Sequence, residues 1–251
     1  MHMHPRRALL LFVGLMTALV VLLSRPNFWH MLPTLVSPGI SCKGTATGCT
    51  IIRTTIEIVS PNCKRYIQSL TMFQNTPGHG SYTSTYGEIM IEENLQENAL
   101  RAIVIHECGH IVDFFALHGT PRMTTTPFTV RSMPTFTDDP SLNFYRISWT
   151  KPGQKAKSTT SEEFVSQYAQ TDFMEDFAET YTYFVLQQDA FEKRAKTNRN
   201  LMKKLTFIKR LFPSDFAVAT GSKWQGAMPI AATVVGYEWN DSLKAAAPEK
   251  R

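Results

Sequence analysis

His106 and His110 enclose Glu107, Cys108 and Gly109, a His-Glu-x-x-His pattern whose residue types suit zinc chemistry. Two histidines four positions apart on a helix project from one face, so their imidazoles can close on a single ion with the glutamate beside them. A metal held this way activates a water molecule, and a neighbouring carboxylate can take the proton. The pattern is short, so it needs a helix to carry it, a third ligand and a compatible compartment.

A helix is expected around it. Asn94 and Glu97 have capping-box spacing, and Leu95, Ala99, Ala102, Ile103, His106, His110 and Phe114 then recur at helical intervals. His118-Gly119 followed by Pro121 marks the end, with Gly119 as the left-handed residue beyond it. Taken singly, either histidine reads as a satisfied core residue; the pair with its glutamate favours ligands. Upstream, Thr50 to Val59 alternates as a strand would, Ser60-Pro61 opens a short helix through Leu70, and Glu88 to Glu92 alternates again. This last strand could form a sheet edge open to an extended peptide, or lie inside a sheet. Residues 119 to 160 are rich in Thr, Pro and Ser and read as one long loop, pinned to the core by Phe144, Tyr145 and Trp149.

Catalytic zinc takes three protein ligands and leaves a position for water. An extended motif with glycine at 113 and histidine at 116 is ruled out, because the chain has Asp113 and Ala116 there. His118 lies about two helical turns beyond His110, too far along the axis. Downstream, a helix beginning near Thr171 or Asp172 would stack Glu175 and Glu179 on one face. Stacked carboxylates repel unless a cation faces them, which a metal supplies: Glu175 would ligate it and Glu179 would accept a hydrogen bond from a ligand histidine. The competing account makes Asp172 and Glu175 a capping box and leaves Glu179 on a solvent face.

Together His106-Glu107-x-x-His110, Tyr168 and Glu175-Asp176-Phe177-Ala178-Glu179 resemble the gluzincin metallopeptidases, in motif most nearly the branch containing the catalytic domain of anthrax lethal factor. The resemblance spans roughly residues 95 to 185. It implies that His106, His110 and Glu175 bind one Zn2+, that Glu107 is the general base, and that Tyr168 stabilises the oxyanion. Glu179 would orient a ligand histidine, and Asp113 could be a further partner behind the ligands. It also implies an α+β, zincin-like peptidase domain, mainly helical with a small sheet beside the motif helix. A packed-core role for Tyr168 stays open.

The chain has 251 residues, 43% hydrophobic and 19% charged, a balance that excludes disorder over most of its length. Its net charge of +5 does not point to nucleic acid, and no nucleic-acid partner is expected. Part of that charge lies near Lys193 to Arg210, where Leu201, Leu205, Ile208 and Phe212 share a helical face and Lys203, Lys204, Lys209 and Arg210 read as its solvated side. Arg6 and Arg7 precede sixteen uncharged residues, Ala8 to Leu23. That run, at about 1.5 Å per residue, is slightly short of the roughly 30 Å hydrocarbon layer. No small-x-small cleavage site follows it, so residues 1–24 read as a signal anchor with the N-terminus inside, or as a signal peptide if cleaved. Residues 25–49 would then be a tether and 50–251 the peptidase domain, extracytoplasmic, anchored or secreted. One disulfide among Cys42, Cys49 and Cys63 is expected, with Cys108 a small core residue. The function expected is zinc-dependent hydrolysis of protein or peptide substrates by an activated water. The alternatives are a membrane-tethered zinc-binding scaffold and an amidase acting on cell-wall amides.

Overall fold

A computed structural model of the chain describes residues 40–74, 82–83, 87–93, 95–213, 216, 219–221 and 237–239. The expected signal segment 1–24, residues 25–39 of the tether, and Asn94 lie outside the described residues. Among the described residues no helix is long and apolar enough to cross a membrane. The architecture is mixed α+β.

Strand β1 (Ser41–Lys43) leads into helix α1 (Ala46–Val59), and the Cys42–Cys49 disulfide ties the two together. Residues 40–49, expected in the tether, therefore belong to the folded unit that begins at Ile40. The helix also replaces the strand expected over Thr50–Val59. The β-branched run suggested alternation, but Cys49, Ile52, Ile56 and Val59 are the buried positions, and that spacing is helical. Thr45 settles the start, accepting a hydrogen bond from Gly48 N at 3.2 Å. Ser60 caps the next helix, α2 (Pro61–Tyr66), through Cys63 N at 3.2 Å, with Pro61 in its first turn. This helix stops at Tyr66 instead of continuing through Leu70, which lies in strand β2 (Ser69–Phe73).

Strands β3 (Tyr82–Thr83) and β4 (Glu88–Glu92) complete a four-stranded sheet in the order β1-β2-β4-β3, with β3 alone antiparallel to its neighbour. β4 is thus internal, paired on both sides, and β1 and β3 form the edges. Leu70 pairs with Ile89 and Met72 with Ile91, four buried side chains beneath the helix that follows.

That helix, α3 (Glu97–Ile111), carries the histidine motif. It starts at Gln96 without a side-chain cap, so Glu97 is its first residue and pairs with Arg101 at 2.6 Å; Asn94 of the expected capping box lies outside the described residues. From Leu100 to Ile111 every residue is buried, so beyond its exposed first turn the helix is enclosed on all sides. Arg101 is accommodated by Glu97 and by Thr55 Oγ1 of α1 at 2.9 Å. Cys108 is bonded to Cys63, stapling α2 to the motif helix. All four cysteines are paired, two disulfides where one was expected. Beyond Ile111 the helix widens into a π-turn, Val112–Ala116, closed by Leu117 N on Val112 O at 3.1 Å. Gly119 is not left-handed. A Cβ there would meet Asp138 Oδ1 at 2.6 Å and Asp139 N at 2.9 Å, so close approach of the chain explains the glycine.

Residues 119–160 are ordered elements and not a long loop. Hairpin β5 (Thr125–Val130) and β6 (Met133–Phe136) turns through Arg131 and Ser132, both at positive φ. Helix α4 (Leu142–Ser148) and the short hairpin β7 (Trp149–Lys151) with β8 (Gln154–Lys155) follow. Phe144, Tyr145 and Trp149 are buried in the core, where the sequence placed them.

Helix α5 (Phe173–Leu186) packs against α3, and α6 (Gln188–Ala195) and α7 (Arg199–Lys209) cover its far side, with a small antiparallel pair β9 (Ala219–Gly221) and β10 (Tyr237–Trp239) beyond. The apolar face expected on α7 is present, but Lys204 is not solvated. Its ammonium is fully buried and contacts both oxygens of Asp176, at 2.8 and 2.7 Å, as well as Glu163 O at 3.0 Å. Burial pushes Asp176 up and Lys204 down from their ordinary pKa values, while each charge counters the shift of the other. Removing the cation alone should therefore be costly. Lys204→Met is expected to lower unfolding free energy by about 3 kcal/mol, with much of the loss recovered when Asp176→Leu is added. Denaturant midpoints of the two variants check this; equal losses in both would show that the unpaired carboxylate is not the source of the cost.

Candidate metal centre

The motif helix α3 and helix α5 meet at their small residues. A Cβ on Gly109 would stand 2.8 Å from Ala178 Cα, closer than side-chain carbons approach. Gly109 lies between the two histidines and Ala178 between the two glutamates, so the contact faces the four side chains toward one another. His106, His110 and Glu175 each place one ligand atom within 4.8 Å of the others, and among the described residues this is the group that could hold a metal ion.

The two distances from the carboxylate fit such an ion. Glu175 Oε2 is 3.2 Å from His106 Nε2 and 3.4 Å from His110 Nε2. Ligands about 2.1 Å from a tetrahedral zinc would stand roughly 3.4 Å apart. Glu175 Oε2 is buried between the two imidazoles, in reach of both Nε2 atoms. Three ligand-type atoms converging on one point suit a cation there, a proton or a metal ion. The donor set of two imidazoles and a carboxylate suits zinc and several other divalent metals, so it does not by itself identify the metal.

Glu179 secures the first histidine. Fully buried, it places Oε1 3.0 Å from His106 Nδ1, so the imidazole donates from Nδ1 and turns Nε2 toward Glu175 and His110, where a metal would take the place of its proton. The solvent-face account of Glu179 is excluded by that burial. Asp172 does cap α5, accepting from Met174 N at 2.8 Å, while Glu175 turns inward to the histidines. His110 stacks on Phe114 with ring centroids 5.4 Å apart.

Electrostatics agree with the geometry. Burial would raise Glu175, yet His106 and His110 beside it hold its carboxyl well below the usual range. Burial would lower His106, but the adjacent Glu175 and Glu179 raise it well above its ordinary value. The cluster thus favours positive charge at its centre, whether supplied by a proton or by a metal ion. Tyr168 sits on a 3-10 turn, Tyr168–Gln170, with its ring centroid 6.0 Å from that of His106. Burial, with the charges of Glu175, Glu107 and Glu179, pushes its hydroxyl above the ordinary tyrosine value, so it stays protonated and able to donate. Glu107 is 2% exposed on the same helix turn as the histidines.

Asp113 is placed differently. Its Oδ2 accepts from Tyr145 at 2.6 Å and its other oxygen is buried beside Ser141, while His110 Nδ1 has no partner among the described residues. It braces the π-turn against α4 and orients neither ligand histidine. The sequence also hid three contributors: Ser166, whose hydroxyl meets Glu179, and the pair Asp176 and Lys204 behind α5. Each acts through a contact between distant segments, for which spacing offers no signal. Comparison of the chain with protein-family models, with curated proteins and with solved structures finds no match.

Two outcomes follow. Gly109→Ala gains at most about 1 kcal/mol of helix propensity but must displace Ala178 backbone, an overpacking cost of about 1–3 kcal/mol, so net stability falls. Metal affinity should fall by roughly tenfold as the helices part, equivalent to about 1.4 kcal/mol. Competition against a chromophoric chelator measures it, and unchanged affinity would show that the close approach does not set the ligand geometry. Burial lifts Asp113 from 3.8 to about 7 despite bonds from Ser141 and Tyr145. The folded chain then keeps a proton that the unfolded chain releases, so this group's contribution to stability is lost as pH rises from 3.8 to about 7. The slope is at most about 1.4 kcal/mol per pH unit. Asp113→Asn should gain on the wild type between acidic and mildly alkaline pH in parallel denaturant titrations, whereas a constant difference would refute the shift.

Proposed function

We propose that the chain is a zinc-dependent endopeptidase of the gluzincin type, with a zincin-like fold, hydrolysing protein or peptide substrates. The observation that carries this is Glu175 Oε2 buried between His106 Nε2 and His110 Nε2 at 3.2 and 3.4 Å. His106, His110 and Glu175 would hold the metal, which when bound supplies Lewis-acid polarisation of a carbonyl and a water of lowered pKa.

The chain's own residues supply the rest. Glu107 takes the proton from the attacking water and returns it to the leaving amine. Its burial keeps bulk water from competing for that proton. Tyr168, protonated and close to His106, donates to the developing oxyanion, a contribution on the order of 3 kcal/mol for one such donor. Glu179 holds the His106 ring in place while charge redistributes.

Extracytoplasmic placement, anchored through residues 1–24 or secreted after their removal, belongs to the same proposal. The pairing of all four cysteines supports it, because such bonds persist in oxidising compartments.

Three proteins decide the matter when purified side by side and assayed for zinc stoichiometry and for cleavage of a diverse peptide library. Wild type should bind one zinc and cleave. Glu107→Gln should keep the zinc and lose turnover by about 10²–10⁴-fold. Glu175→Ala should lose affinity for the metal as well. Zinc binding without turnover in the wild type would favour a tethered metal-binding protein, and equal activity in all three would sink the assignment.

A further inference from the structure

We infer that Ser166 is a positioning residue for the metal centre, coupling the carboxylate behind His106 to the turn that carries Tyr168. Its hydroxyl donates to Glu179 Oε2 at 2.6 Å and accepts from Ala169 N at 3.0 Å. Glu179 Oε1 in turn receives His106 Nδ1 at 3.0 Å. One oxygen atom, 2% exposed with its residue, therefore stands where α3, α5 and the Tyr168 turn are joined.

The need for it follows from burial. A fully buried carboxylate that serves one imidazole through Oε1 leaves Oε2 in a medium where an unmet acceptor is costly. Ser166 meets it with a short, charge-assisted bond. A serine needed only to shape the local turn would be satisfied by accepting from Ala169 N, and its proton could turn elsewhere. Directed at Glu179, that proton fixes the carboxylate's rotation and with it the plane of the His106 ring. Because the same hydroxyl accepts from the Tyr168–Gln170 turn, a shift of Glu179 also shifts the segment bearing the phenol.

This inference rests on the metal-centre assignment, so its test includes a control on that assignment. Zn2+ affinity of the full-length chain is measured by chelator competition, with thermal melting in chelator as the measure of fold. Ser166→Ala should weaken zinc binding by roughly tenfold, the lower end for residues that orient a metal ligand, and Ser166→Thr, which keeps the hydroxyl, should restore most of it. In a Glu179→Gln background, where the charge-assisted bond is already gone, Ser166→Ala should change affinity by less than about twofold. An equal loss in both backgrounds, or a lowered melting temperature with unchanged zinc affinity, overturns the inference and leaves Ser166 a structural serine. Glu175→Ala separates the two levels. If it leaves zinc affinity unchanged, the metal centre and this inference fall together; if it weakens binding while Ser166→Ala does not, only the inference falls.

Discussion

The backbone approach of α3 to α5 at Gly109 and Ala178 is the constraint on which the rest of the site depends. A helix pair separated by ordinary side chains stands about 8–10 Å apart axis to axis, and small residues at the crossing bring it to the near end. Here the crossing lies at the middle of both pairs, His106 with His110 and Glu175 with Glu179. The short imidazole and carboxylate side chains can then converge without extending. The Cys63–Cys108 bond acts from the opposite side of the same helical turn, holding α3 against α2 while α5 closes on its histidine face.

Enclosing α3 beyond its first turn has an electrostatic consequence. Buried carboxylates tend to take up protons and buried imidazoles to lose them, yet Glu175 and His106 are shifted in the opposite senses because each lies beside the other's charge. α5 meets the same difficulty twice within one turn. Glu175 faces the imidazoles, whereas Asp176, the next residue and rotated about 100° around the axis, faces Lys204. A lysine is the permanent answer to a buried carboxylate; a cluster of ligands is the exchangeable one. The Lys204 ammonium also reaches Glu163 O, so the cation that neutralises Asp176 anchors the segment leading into Ser166.

What the sequence revealed depended on whether the information was local. The His106-Glu107-x-x-His110 spacing, the Glu175 and Glu179 pair, strand Glu88–Glu92 and the Ser60-Pro61 helix start were legible because each is a pattern within a few residues. Thr50–Val59 misled because β-branched residues favour strands intrinsically, while the burial of Ile52, Ile56 and Val59 against the core decides for helix. Residues 119–160 misled for another reason: their strands are two to six residues long, too short to establish a period. Lys204 was invisible because a lysine in a basic helix reads as solvated unless its partner, twenty-eight residues away, is known. The expected disulfide omitted Cys108, since a cysteine within a buried helix looks like core until the helix opposite is placed.

The two glutamates of α5 are not equivalent, and their positions along the helix explain why one faces both imidazoles and the other stands behind a histidine. Glu175 falls in the first turn after the Asp172 cap, where free backbone N–H groups and the helix macrodipole favour a negative charge. That field adds to the neighbouring imidazoles of His106 and His110, which hold its carboxyl ionised. Glu179 lies one turn further, where the N–H groups are already bonded within the helix and the dipole offers little. Its charge must be satisfied by side chains, and His106 and Ser166 take one oxygen each. Exchanging the roles would put the carboxylate that faces both imidazoles where the helix cannot support it and the one bonded to Ser166 where the ion would sit. The order of the two carboxylates along α5 therefore follows from helix electrostatics as well as from the spacing of the histidines they meet.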